Sequence, residues 1–285
     1  MKVLNLTDDF NPSGAYFDDM LKYELSMFPG GEPNFRLHSS WKIDAKITIS
    51  IRVETWLDMG ILASAVNAIK NAKGYSELHL QIPYFPGARQ DRICNPGEAL
   101  TVKVYADFIN SMNFDSVLIL DPHSDVTPAL INNCNVMNNS DFIRAVDTNL
   151  SLEDLVIICQ DAGEGKKIIS LCKACGFDEM VKCDKERDLE TGKLSGFTVY
   201  ADDLKGKPCL IVDDICDGGG IFIGLADELK KKNAGDLYLA VSHGIFSKGE
   251  GPLSEVFKKV FTTDSFFKES DKTSDLIEII NLNTL

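Results

Sequence analysis

Six short apolar runs, at 46–53, 76–84, 115–121, 154–160, 208–214 and 236–242, alternate along the chain with helix-period segments at 58–72, 98–112, 163–175 and 221–233. Apolar runs of this length suit strands buried inside a parallel sheet. Their alternation with helices predicts an α/β fold, each sheet mostly parallel and flanked on both faces by helices. A chain of 285 residues is long enough for two domains of ordinary size. The polar stretch 132–150 breaks the rhythm and predicts a boundary there, giving an N-terminal α/β domain over 1–140 and a C-terminal one over 141–285. The runs at 115–121 and 208–214 each end in an acid before a turn, which reads as two similar halves.

The run at 208–214 carries the clearest chemistry. It ends in Asp213 and Asp214 and passes through Asp217 into Gly218, Gly219 and Gly220, which open the helix at 221–233. A buried strand does not keep two carboxylates in its core, so both acids are expected at its carboxyl end, where an open α/β sheet presents ligands. Glycines there let backbone N–H groups approach a phosphate, and the helix adds partial positive charge at its first turn. Carboxylates supply the acceptors that vicinal hydroxyls need. The pattern suits a 5-phosphorylated ribose; an Asp-capped loop without a ligand is the alternative.

A formal net charge of −14 argues against a nucleic-acid or anionic-membrane surface, since both need a basic footprint. No apolar run approaches membrane-spanning length and the first residues lack a cleavable signal pattern, so a cytoplasmic location is expected. The eight cysteines are scattered, as suits reduced thiols. Cys172 and Cys175 form a C-x-x-C with no second pair or nearby histidine, which favours a thiol pair on a helix over a zinc site.

Four further clusters follow strand ends or turns. His123 lies between Asp121 and Asp125 and could meet a metal or a phosphate, or be structural. Asp161 before Gly163 and Gly165 offers a second phosphate or metal position, or a plain helix cap. Arg89, Gln90, Asp91 and Arg92 follow a proline-bounded turn; the arginines could clamp an oligophosphate or be solvated surface charges. The charged segment 184–193, with Lys185 and Arg187, taken alone reads as an exposed loop.

In this order and spacing the clusters resemble the ribose-phosphate pyrophosphokinases, also called phosphoribosyl-pyrophosphate synthetases. The resemblance runs roughly from 28 to 247. It rests on Ile82-Pro83-Tyr84-Phe85 with Ala88-Arg89-Gln90-Asp91-Arg92, Asp121-Pro122-His123, Asp161-Ala162-Gly163, Asp184-Lys185 with Arg187, Val212-Asp213-Asp214 with Asp217 and Gly219-Gly220, and Ser242-His243-Gly244-Ile245-Phe246-Ser247. It implies two related phosphoribosyltransferase-type (type I) domains and transfer of the diphosphate of Mg-ATP to the anomeric hydroxyl of a 5-phosphorylated ribose, leaving AMP. It also implies a role for each motif. Arg89, Gln90 and Asp91 would lie along ATP, and His123 and Asp161 would hold or orient Mg2+. Lys185 and Arg187 would belong to a mobile catalytic loop. Asp213 and Asp214 would hold the ribose hydroxyls, and Asp217, Gly218, Gly219 and Gly220 would cradle the 5-phosphate. Phe28 and Glu32 resemble an adenine-contacting hairpin that reaches a neighbouring subunit, so self-association as a dimer or hexamer is implied. Small-molecule substrates are implied, without nucleic acid or membrane.

Departures from the family pattern bear on the acceptor. The usual Asp-Thr-Gly-Gly-Thr reads Asp217-Gly218-Gly219-Gly220-Ile221 here. Two hydroxyl donors are missing, each worth about 0.5–1.5 kcal/mol when neutral and more against a charged partner. Gly30 stands where an Asp is usual in the hairpin, Pro86-Gly87 replaces Gly-Tyr, and Arg52-Val53-Glu54-Thr55 replaces a Ser/Thr-rich loop. A phosphate esterified to something larger has less charge to satisfy and needs the room Gly218 leaves, so the branch acting on ADP-ribose is one expectation beside ribose 5-phosphate. A salvage phosphoribosyltransferase and a non-catalytic regulatory homologue are the competing readings.

Overall fold

The apolar runs assemble into two sheets, one in each of two units of the chain, Met1–Asn138 with Leu282–Thr284 and Asn139–Asn281 with Leu285. The computed structural model describes residues 1–10, 20–38, 45–72, 74–152, 154–160, 165–187 and 194–285.

The first unit begins with β1 (Lys2–Asn5), followed by an antiparallel ribbon of β2 (Tyr23–Met27) and β3 (Pro33–Leu37) that packs on α1 (Trp56–Ala72). Strand β1 then joins β4 (Ala45–Ser50), β5 (Tyr75–Gln81), β6 (Ser116–Leu120) and β7 (Cys134–Met137) in a parallel sheet of order β1-β4-β5-β6-β7. Period-two alternation puts Ile47, Ile49, Leu78, Leu80, Val117 and Ile119 on one face. There they meet Met59, Leu62 and Ile69 of α1 and Val102, Ala106 and Ile109 of α2 (Thr101–Ser111). The opposite face is partly polar, with Ser50 bonded to Gln81 at 3.4 Å and His79 Nδ1 2.8 Å from the Ser116 hydroxyl. Helix α1 starts at Trp56 because Thr55 and Asp58 form a cap: Asp58 accepts the Thr55 N–H at 2.6 Å and its hydroxyl at 3.0 Å. A short α3 (Val126–Leu130) follows β6.

The second unit carries α4 (Ser140–Leu150), β8 (Val156–Cys159), α5 (Gly165–Cys175), β9 (Met180–Arg187), β10 (Leu194–Val199), β11 (Cys209–Cys216), α6 (Gly220–Lys231), β12 (Leu237–Gly244), α7 (Gly251–Ser254), β13 (Lys259–Thr263) and β14 (Ile277–Ile280). Its sheet runs β10-β9-β8-β11-β12-β13-β14, and every pairing except β9 with β10 is parallel. Both faces are covered. Ile158, Ile211 and Leu239 pack with Leu225 and Leu229 of α6, while Ile157, Leu210 and Ala240 pack with Ile143 of α4 and Leu171 of α5. From β8 the chain goes to β9 on one side and returns to β11 on the other, so the strand order reverses between β8 and β11. Open α/β sheets bind ligands at the carboxyl ends of strands at such a reversal.

Three expectations need correction. The stretch 132–150 does not break the strand–helix rhythm: it contains β7 and α4, whose Phe142, Ile143 and Val146 are buried. The charged segment from 184 is not a loop as far as Arg187, because Asp184, Lys185 and Arg187 pair in register with Thr198, Phe197 and Leu194; residues 188–193 lie outside the described part. Strand β11 runs on past both acids to Cys216. Its pairing with β8 ends at Ile211, while pairing with β12 continues to Gly244, so the acids sit where one flank of the strand has lost its neighbour.

All eight cysteines are free. Burial pushes the Cys183 and Cys209 thiols up to about 12, and burial with the nearby Asp213 and Asp217 does the same to Cys216, so these are core thiols and not nucleophiles. Among the described residues, no helix is long and apolar enough to cross a membrane.

Candidate functional site

In the first unit two loops meet at the carboxyl ends of β5 and β6. Leu120 donates its N–H to Pro83 O at 2.9 Å, which ties the segment leaving β5 to β6. Phe85 and Ala88 are buried and anchor the turn. Gly87 sits at φ +73°, and a Cβ there would come within 3.2 Å of the Val102 nitrogen and of the Tyr105 ring, so only glycine lets the turn close on α2. The turn leaves Arg89 and Gln90 exposed and buries Asp91. Burial alone would raise the Asp91 pKa, but hydrogen bonds from Arg92 and Ser124, with the charges of Arg92 and His123, hold it below the ordinary carboxylate value. The Arg92 Nε donates to Asp91 Oδ1 at 3.0 Å. Asp91 and the exposed His123, thirty-two positions apart, therefore belong to one electrostatic cluster.

Phe28 and Glu32 occupy the tip of the β2–β3 ribbon. Phe28 donates its N–H to Glu32 O at 2.9 Å, Gly31 at φ +92° closes the turn, and the Phe28 ring is 56% exposed. This is a large apolar group held out to solvent, unlike the buried phenylalanines of the core.

In the second unit the sheet reversal is occupied by side chains. Gln160, buried just past β8, donates from Nε2 to Asp213 Oδ2 across the gap between β8 and β11. Asp213 Oδ1 accepts the Asp214 N–H at 2.8 Å, and Asp214 is buried. Asp213 is only half-buried. Next along, Asp217 Oδ1 accepts the Ser247 hydroxyl at 2.5 Å. Gly219 is the residue before α6 and has φ +74°. A Cβ on it would lie 2.9 Å from Leu253 Cδ2, whereas at Gly220 there is nothing within 4 Å. Gly219→Ala is therefore expected to lower unfolding free energy by about 1–3 kcal/mol in urea titrations. Gly220→Ala, in open helical space, should be neutral or slightly stabilising. Equal midpoints for the two variants would contradict the strained turn.

Behind the loop, His243 of β12 is buried with Nδ1 2.7 Å from the Ser265 hydroxyl, which itself donates to Ser242 O at 3.0 Å. Lys185 is half-buried on β9, and Arg187 ends that strand. Asp161 lies outside the described residues. No group of three or more His, Cys, Asp or Glu suited to a metal occurs among the described residues.

No family model matches the chain. A ribose-phosphate pyrophosphokinase of Pyrococcus furiosus is 26% identical over 262 residues, covering 91% of each chain. One of Vibrio cholerae is 28% identical over 259 residues, covering 85% of this chain and 77% of that one. The chain is a relative of the ribose-phosphate pyrophosphokinases. A solved phosphoribosylpyrophosphate synthetase from Mycobacterium smegmatis shares its fold, with a TM-score of 0.80 at 19% identity over 99% of this chain and 95% of that one.

For this pyrophosphokinase relative, motif reading alone missed two residues. Gln160 stands next to the quoted Asp161 but carries no signal of its own; only the strand order brings it to Asp213. Ser247 closes the Ser242–Ser247 run, and its bond to Asp217 appears only once β12 lies beside β11.

Proposed function

We propose that this protein transfers the β,γ-diphosphate of Mg-ATP to the anomeric C1 hydroxyl of a 5-phosphorylated ribose, and that the ribose is the one carried by ADP-ribose. The hydroxyl oxygen attacks the β-phosphorus, the bond from that phosphorus to the α-phosphate bridging oxygen breaks, AMP leaves and the hydroxyl proton is lost. The product is ADP-ribose pyrophosphate, an intermediate suited to NAD rebuilding; with ribose 5-phosphate it would be phosphoribosyl pyrophosphate.

The observation that carries the reading is the arrangement at the β8–β11 reversal: an acid pair, oriented by Gln160, directly ahead of a glycine turn that opens α6. Asp213 and Asp214 accept from the ribose hydroxyls, and Asp217 with Gly218, Gly219 and Gly220 presents N–H groups to the 5-phosphate. In the first unit Arg89, Gln90 and Asp91 line the nucleotide, and Phe28 and Glu32 contact adenine of a neighbouring protomer, so the active form is a homo-oligomer, a dimer or hexamer. Lys185 and Arg187 neutralise the diphosphate as it transfers. His123 beside an ionised Asp91 is a sparse donor set, which does not build a resident metal cage but fits Mg2+ arriving with ATP, whose shell is mostly phosphate and water oxygen. His123 and Asp161 would hold it, and the ion supplies charge neutralisation on the phosphates. ADP-ribose is favoured because Gly218 and Ile221 remove the two threonine hydroxyls that suit a terminal monophosphate, and Ile221 is 40% exposed where a donor would stand.

The test is a parallel assay of purified protein with Mg-ATP and either ADP-ribose or ribose 5-phosphate, following AMP by chromatography and the product by phosphorus NMR. AMP formed with ADP-ribose at higher kcat/KM supports the whole reading. Preference for ribose 5-phosphate removes the acceptor assignment, and turnover that needs a free base in place of ATP removes the reaction.

A further inference from the structure

Lys248 lies across the glycine turn. A Cβ built on Gly218 would be 3.3 Å from Lys248 Cε, 3.4 Å from Cδ and 3.7 Å from Cγ, so the lysine stem fills the space into which a side chain at 218 would point. The placement is fixed from both sides. Before it, Ile245 and Phe246 donate their N–H groups to Cys216 O at 2.8 and 3.1 Å, and the Ser247 hydroxyl bonds Asp217. After it, Gly249 at φ +69° donates to Phe246 O at 2.7 Å, turning the chain back. The loop after β12 is thus stitched to the end of β11 at the point where Lys248 projects.

The charge is also uncommitted. Many lysines of this acidic chain are paired with carboxylates, as Lys103 is with Asp107 and Lys207 with Glu179. Lys248 is exposed and has no hydrogen bond or ion pair among the described residues. Its ammonium extends one bond beyond the Cε that already reaches Gly218.

Resting on the phosphate-cradling role of the turn proposed above, we infer that Lys248 is a specificity-determining residue: its ammonium binds the 5-phosphate of the acceptor in place of side-chain hydroxyls on the turn itself. Gly218 and Lys248 are then one device, since any side chain at 218 would displace the lysine stem. An ammonium is a compact charge with rotatable donors, where a hydroxyl offers one directed bond. It can follow the two non-bridging oxygens of a phosphate whose other oxygens are esterified. The acceptor class is therefore a pentose 5-phosphate, terminal or bridged into a diphosphate.

The experiment compares wild type with Lys248→Met, which keeps the stem, and Lys248→Arg, which keeps the charge. Direct binding of ribose 5-phosphate and of ADP-ribose is measured separately by calorimetry, and turnover by AMP release. Lys248→Met is expected to weaken acceptor binding and raise acceptor KM about tenfold or more, with kcat and the KM for ATP within about twofold. Lys248→Arg should recover most of the loss. The wild-type acceptor Kd should rise with salt, and the slope should flatten in Lys248→Met. A larger loss with one ligand identifies the phosphate that the lysine serves. Unchanged Kd for both acceptors in Lys248→Met, or an equal loss in Lys248→Arg, overturns the inference. If wild type releases no AMP yet binds either acceptor in a Lys248-dependent way, the reaction assignment fails while this inference stands.

Discussion

Lys185→Ala is expected to lower kcat by about 10³-fold while ATP and acceptor affinities stay within a few-fold. A diphosphate in transfer concentrates negative charge that neither ATP nor product presents in the same place, so a cation matched to that geometry acts on kcat more than on binding. The lysine belongs to a regular element: Lys185 pairs with Phe197 across the β9–β10 ribbon, at the edge of the second sheet. Backbone bonds survive truncation of the side chain, and the stability change should stay within about 1 kcal/mol in urea. Lys185→Arg should recover only part of the rate, because a planar guanidinium does not reproduce a point charge. Single-turnover AMP release on protein of verified stability separates these effects. Full activity in Lys185→Ala would remove β9 from the mechanism.

The contrast between what the residues announce and what they conceal has a physical pattern. Central strands such as β11 and β12 are legible because both faces are buried and each opens on an unbroken apolar run, Cys209–Val212 and Leu237–Val241. Helix α6 is legible because its buried Phe222, Leu225, Ala226 and Leu229 recur at helical spacing. Strand β7 is an edge with exposed Asn135 and Val136, and α4 hides its Phe142, Ile143 and Val146 behind a run of asparagines. Strand β9 alternates buried Val181 and Cys183 with exposed Lys182, but its charged end masks the period, and pairing with β10 supplies stability that composition does not show. The acid pair and glycine turn could be read directly. The contacts that tune them could not, since Gln160 and Asp213 lie fifty-three positions apart and Asp217 and Ser247 thirty, and only the reversed strand order joins them.

Asp213→Ala is expected to cost at least about 10²-fold in kcat/KM for the acceptor and little in ATP binding. The loss has two sources. A ribose hydroxyl loses its charged acceptor, and the Gln160 amide, buried beside it, loses the oxygen to which it donates. Asp213→Asn separates them: it keeps the shape and one carbonyl oxygen for Gln160 but removes the charge, so it should lie between wild type and alanine. Because the proposed contact is with a hydroxyl, wild type should discriminate strongly against one of two deoxy acceptors, ADP-ribose lacking the 2-hydroxyl or the 3-hydroxyl of its terminal ribose, and Asp213→Ala should lose that discrimination. Non-additivity in this cycle distinguishes a direct contact from a general disturbance of the strand end. Additive losses with both deoxy acceptors would place the ribose somewhere other than the β8–β11 reversal, and the acid pair would then serve only to cap the turn before α6.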